Sequence, residues 1–311
     1  LQHWLCSLPL AISGAASALF VVMVNGWMNT PSGFQLDHGQ LVKVDQLAAA
    51  FNPSVPTEDP HMLFAAYTVT GFLVAAIYAA GMLRGRHDTL HRRGLAVGMG
   101  LGGVAVALTG LWGDFSARFL YVAEPVKFAA MEALFKTQQY APITIGGVVD
   151  AAHQRVLWGL EIPSMLSWLA AFNPAAQVTG LDATAPADRP NPLLVHLSFD
   201  TMVGFGLLLG LVAIIFWGLT LWQKRTPRHR LLLWGILLSG PASVLALEAG
   251  WLVTEFGRQP WVVSGILRTA TSATTAPALG PTFGLFLVIY LILAVTTVQL
   301  LLRLAHSRRA R

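Results

Sequence analysis

Uncharged apolar runs recur six times along the chain, each about 20 residues long and so able to cross a bilayer as a helix. Their charge-poor cores are Leu5–Val24, Met62–Leu83, Gly94–Gly113, Thr201–Gln223, Leu231–Leu247 (continuing through Glu248 to Thr254) and Gly280–Leu302. In hydrocarbon every backbone polar group must be satisfied within the segment, which favours helices. The pattern predicts an all-α, polytopic membrane bundle of six transmembrane helices with one structured outer loop. Three blocks follow: residues 1–113 with the first three helices, 114–194 as a long interhelical segment, and 195–311 with the last three helices and a tail.

The segments between spans carry their own signals. NGWMNTP, Asn25 to Pro31, reads as an interfacial cap, with Trp27 at headgroup depth and Pro31 ending the helix. His61 opens the second span and His196 lies near the start of the fourth. In the long segment, Val126–Lys136 reads as a helix with Glu132 and Lys136 as an i,i+4 pair. Leu157–Phe172 is apolar, yet Pro163 interrupts it and it is too short to span. It is expected to lie along the membrane surface or to pack on the helix ends. A structured loop of such length is usually functional.

Composition sharpens this picture. Hydrophobic residues make up 55% of the chain and charged residues 11%, against about 25% charged in soluble domains. The net charge of +5 is no sign of a nucleic-acid partner, because twelve of the twenty Lys and Arg fall in Arg84–Arg93, Lys224–Arg230 and Arg303–Arg311. The positive-inside rule places those three segments on the cytoplasmic side of the membrane, and they alternate correctly with six spans. Leu1 and the tail are then cytoplasmic and the long loops periplasmic. A single cysteine, Cys6, excludes an internal disulfide. No signal-peptide pattern precedes the first span, and the chain reads as a fragment lacking upstream spans.

Candidate chemistry gathers at the outer helix ends. Gly250–Trp261, GWLVTEFGRQPW, sets Glu255, Arg258 and two tryptophans at the end of the fifth span, with Glu248, Trp251 and Glu255 on one helix face. An ionisable group at membrane depth needs a partner or a role. Locally, a Glu255–Arg258 ion pair suffices, and Glu248 is either a buried acid on a proton path or half of a buried hydrogen bond. His61 and Met202 fall at similar depth on two helices. Together they could clamp a six-coordinate haem iron; separately they read as an interfacial cap and core filler. His196 is the rival ligand. Lys127 and Glu132, five residues apart, do not share a helix face and read alone as a solvated surface. By class, a membrane oxidoreductase, a cytochrome b-type electron carrier and a haem-free transporter or anchor stay open, although transporters favour midplane sites and inverted repeats.

Five segments resemble the larger subunit, subunit I, of cytochrome bd quinol oxidases. They are DPHMLFAAYTVTGF, GDFSARFLYVAEPVKFAAMEALFKTQ, GLEIPSMLSWLA with VTGLD, HLSFDTMVGFG, and GWLVTEFGRQPW. The resemblance implies that His61 and Met202 are the iron ligands of a low-spin haem b and Glu255 the axial ligand of a high-spin haem b. Arg258, Trp251, Trp261 and Gln259 would contact the cofactor. Lys127 and Glu132 would act in oxidation of ubiquinol or menaquinol, with Glu248 on a proton path. It also implies a bacterial inner-membrane location, a haem d held mainly by upstream spans, and a smaller subunit II with or without a small accessory subunit. Asp200 stands where some members carry arginine.

Overall fold

The structure is a computed structural model and describes residues 5–274, 276 and 279–307. Residues 1–4 and the tail arginines Arg308, Arg309 and Arg311 lie outside the described residues. Among the described residues six helices are long and apolar enough to cross a membrane. The chain divides into two units, residues 1–268 and 269–311.

In the first unit, α1 (Leu8–Asn29) leads through the hairpin β1–β2 (Gln35–Asp37, Gln40–Val42) and the short α2 (Gln46–Ala50) to α3 (Val55–Leu83). α4 (Thr89–Ala123) and the short α5 (Pro125–Met131) follow. Next come β3 (Gln138–Gln139), β4 (Ile143–Ile145), β5 (Val148–Asp150), β6 (Arg155–Leu157), β7 (Leu160–Ile162), α6 (Met165–Ala171) and β8 (Gln177–Val178). α7 (Pro192–Gln223), α8 (Arg230–Arg258) and the strands β9 (Trp261–Val263) and β10 (Leu267–Arg268) complete it. The second unit holds α9 (Thr269–Ser272) and α10 (Leu279–Ser307).

Local chemistry sets the helix starts. Asn191 caps α7 by accepting from the Leu193 and Leu194 N–H groups, and Asp88 caps α4 through His91 N. α3 begins at Val55, so His61 lies inside the helix rather than opening it. α4 runs on past Asp114, where its Arg118 pairs with Asp114 one turn back at 2.8 Å. The interhelical segment therefore starts at Glu124.

α5 ends at Met131, short of the expected Lys136. The cause is a Schellman closure: Ala133 adopts φ +50, Leu134 N donates to Ala129 O at 2.8 Å, and Ala133 N donates to Ala130 O. The next carbonyls, of Leu134 and Phe135, then accept from the N–H groups of Leu181 and Asp182. These partners are distant in sequence and draw the chain out of the helix. Glu132 is buried while Lys136 is exposed, so the expected i,i+4 pair does not form. The apolar stretch 157–172 divides at Pro163 into strand and helix, and Leu166 and Ala170 of α6 pack in the cluster that holds Phe128, Val195 and Val253. Of its two expected placements, it takes the one against the helix ends.

The four central helices pack through small residues. Gly71 of α3 faces Gly98 and Gly102 of α4 so closely that a Cβ at Gly71 would overlap the Gly102 backbone. Small residues give membrane helices their contact area, because lipid and side chains are equally apolar. Around this seam Phe72, Met99, Phe216 and Ile236 form a fully buried core.

Candidate functional site

Toward the loop end the packing opens into a cavity of about 1570 Å³, walled by α3, α4, α7 and α8 and closed over by α5, α6 and the β4–β5 turn. Its lining is largely apolar, with a few polar groups at the upper wall. His61, Met202, Trp251, Lys127 and Glu132 all line it. Five residues expected to act at a site are thus brought together from α3, α7, α8 and the α5 region.

His61 is held in a defined state. Its Nδ1 lies 3.0 Å from the carbonyl of Thr109 on α4. A carbonyl can only accept, so Nδ1 carries a proton, and in the neutral ring Nε2 keeps its lone pair. Gly113, one helical turn on, leaves room for the ring: a Cβ there would sit 3.2 Å from His61 Cε1. Met202 is set against Gly250 of α8, where a Cβ would come within 3.1 Å of its sulfur. An unprotonated imidazole nitrogen and a thioether on one cavity are a fitting ligand set for a haem iron.

His196 is sealed off from that role. It is fully buried, with Nδ1 2.7 Å from Met131 O and Nε2 3.3 Å from Gly146 O. Both ring nitrogens are engaged, and its partners tie α7 to the loops. Asp200, one turn on, accepts from Gly146 N at 2.7 Å and faces the cavity.

Lys127 and Glu132 are not a solvated surface; they are 4% and 5% exposed. The Lys127 ammonium donates to Glu124 at 2.9 Å and to Asn29 at 3.0 Å. Glu124 in turn accepts from Thr30 at 2.8 Å. A buried ion pair is retained only when further hydrogen bonds satisfy it, as here. Glu132 has no such cation. Burial, assisted by the charge of Asp200, pushes its carboxyl up to about 8.

Glu255 takes a different position. It does not line the cavity; its carboxylate accepts from Asn25 at 2.8 Å and from Arg258 at 2.6 Å, and it is 44% exposed. The local ion-pair reading is therefore realised. Arg258 is buried, and its Nε and Nη1 have no hydrogen-bond partner among the described residues. Trp261 lies on β9 with the Arg268 guanidinium 4.5 Å above its ring, and Gln259 caps α8. Glu248 is exposed on α8 and does not line the cavity. One turn further, Trp251 takes the cavity-facing position.

Sequence reasoning overlooked three polar groups of this region. Glu58 lines the cavity one turn before His61. Asn25 and Asn29 fall within the stretch read only as an interfacial cap. Their i,i+4 spacing on one face of α1 was the available signal.

Comparison with known proteins identifies the family. The family model described as cytochrome bd terminal oxidase subunit I matches residues 1–309. The chain is 37% identical over 298 residues to the Bacillus subtilis (strain 168) protein named "Putative cytochrome bd menaquinol oxidase subunit I", covering 94% of this chain and 66% of that one. It is 28% identical over 375 residues to cytochrome bd-II ubiquinol oxidase subunit 1 of Escherichia coli (strain K12), covering 98% and 73%. The solved bd oxidase from Geobacillus thermodenitrificans superposes with a TM-score of 0.86 at 37% identity, over 97% of this chain and 69% of that one. The present chain thus spans 66% of the length of the menaquinol oxidase subunit it matches. With the fold, the helix count and the family model in agreement, this chain belongs to the cytochrome bd terminal oxidase subunit I family.

Proposed function

We propose that this chain supplies the quinol-oxidising and electron-entry part of a membrane-bound quinol:oxygen oxidoreductase. One observation carries the reading: His61, Met202, Lys127 and Glu132 all line a single cavity. Ubiquinol or menaquinol is the proposed substrate, in keeping with the names of the relatives.

The residues suit the steps they would perform. Lys127 presents a fixed ammonium at the cavity wall, a donor for a phenolic oxygen. Glu132 accepts a proton from the hydroxyl; its raised pKa lies close to operating pH, where a general base both takes and returns a proton efficiently. His61, oriented by Thr109, and Met202, seated on Gly250, are the proposed ligands of a low-spin haem b, which when bound accepts electrons singly. Glu255 is the proposed ligand of a high-spin haem b, with Arg258 and Gln259 beside it and Trp251 and Trp261 as packing surfaces. The complete enzyme would hold a haem d for oxygen reduction and pair with a smaller subunit II, with or without a small accessory subunit. Quinol protons would leave on the periplasmic side, and protons for water would come from the cytoplasm.

Absorbance spectra of the purified full-length oxidase test this. Met202→Leu is expected to abolish the low-spin haem b bands while the Glu255-linked haem persists. An unchanged spectrum would remove Met202 from the ligand set, and a colourless unsubstituted protein would end the oxidase reading.

A further inference from the structure

Four side chains from three helices form one unbroken run of hydrogen bonds between the cavity wall and the end of α8. Lys127 Nζ donates to Asn29 Oδ1 at 3.0 Å. Asn29 Nδ2 donates to Asn25 Oδ1 at 3.1 Å and to Asn25 O at 2.9 Å. Asn25 Nδ2 donates to Glu255 Oε1 at 2.8 Å. The other carboxylate oxygen of Glu255 accepts from Arg258.

The sense of this run is fixed by chemistry. An ammonium can only donate and a carboxylate can only accept, whereas a primary amide does both. Two amides between them can therefore be threaded in one direction only, oxygen toward Lys127 and nitrogen toward Glu255. Every donor points the same way, so each bond polarises the next. The Lys127 end of the run is shielded, since Asn29 and Lys127 are each 4% exposed, and the Glu255 end is open, that side chain being 44% exposed. The Lys127 stem crosses α8 at Gly257, where any Cβ would press on its Cγ at 2.7 Å. Lys127 is thereby held two residues from Glu255 along α8 as well as through the amides.

We propose that Asn29 and Asn25 are positioning residues that hold the Lys127 ammonium at the cavity wall and the Glu255 carboxylate beside Arg258 as one unit, so that a change at either end is felt at the other. The inference rests on the proposed roles of Lys127 toward quinol and of Glu255 toward haem. Orienting partners of a metal ligand are typically worth tenfold to a hundredfold in affinity or activity, roughly what a lost charge-assisted bond predicts.

The test uses the full-length oxidase in membranes, with quinol KM and kcat measured separately and the absorption of the Glu255-linked haem recorded. Asn29→Leu is expected to raise the quinol KM about tenfold and to shift that haem band. Asn25→Leu is expected to shift the band with a smaller change in KM. Lys127→Met is expected to shift the band in the native background and to leave it unmoved when Asn29 is already Leu, the non-additivity of coupled sites. Asn29→Asp keeps an acceptor for Lys127 and removes the donor to Asn25. It should preserve KM while shifting the band, and it decides the matter if the leucine variant does not assemble. Unchanged KM and band in Asn29→Asp and Asn29→Leu, or an equal effect of Lys127→Met in both backgrounds, would overturn the relay while leaving the oxidase reading intact. Unsubstituted protein without haem or quinol oxidation would overturn both.

Discussion

The middle of the bundle and its loop end are built from the same four helices under opposite rules. Around Gly71, Gly98 and Gly102 the backbones touch, and Phe72, Met99 and Phe216 are fully buried. About three to four turns farther along, the same helices part around a cavity of about 1570 Å³ edged by His61, Lys127, Glu132 and Met202. Glycine serves both halves for opposite ends. At Gly71 it removes space between helices; at Gly113 and Gly250 it makes space for a side chain that must reach the cavity. The rigid half fixes the angle at which the helices diverge, and so fixes where the imidazole and the thioether stand.

Four substitutions test that contrast. Gly71→Val should be the most severe, since its Cβ would overlap the Gly102 backbone and neither helix can yield without losing the seam. A loss of about 3 kcal/mol or more is expected, read as a lowered midpoint of detergent-driven unfolding. A midpoint within experimental error of the parent would show that the seam is not tight. Glu132→Gln should leave folding intact and lower quinol-oxidation kcat about a hundredfold, the usual worth of a general base. The parent base form predominates above its pKa, so kcat should climb as pH rises toward about 8 and then level off. In the glutamine variant that climb should vanish, and its survival would assign the proton acceptor elsewhere.

Gly113→Ala is milder. Its methyl would meet His61 Cε1 at 3.2 Å, and a shift of the low-spin haem band without loss of the haem is expected. Leaving the band in place would mean the ring has slack. Lys136→Ala should do least, within about 0.5 kcal/mol in the same unfolding assay, because the side chain is exposed and the helix that would have paired it with Glu132 ends earlier.

Much of the bundle was legible without coordinates because its signal is local. Twenty apolar residues form a helix in lipid whatever surrounds them. The segments carrying His61, Met202 and Lys127 were equally recognisable as strings. Wherever the reading depended on a partner far along the chain it lost resolution. Val126–Lys136 has helical composition, yet backbone bonds to Leu181 and Asp182 stop the helix and bury Glu132. His196 was an eligible ligand until the carbonyls of Met131 and Gly146 were found at its two nitrogens. Helical periodicity gave Glu248 and Trp251 one face, but only the tryptophan lines the cavity, while Glu248 is exposed.

Hydropathy and residue type by themselves determined six spans, their order and which side chains could bind or transfer, because those depend on each segment's own transfer energy and donor set. Tertiary structure alone decided which of those groups share a cavity, which proton His61 carries, and that two asparagines join Lys127 to Glu255. The reason is physical: a hydrogen bond acts over about 3 Å in space, and residues 25, 127 and 255 become neighbours only when three helices have packed.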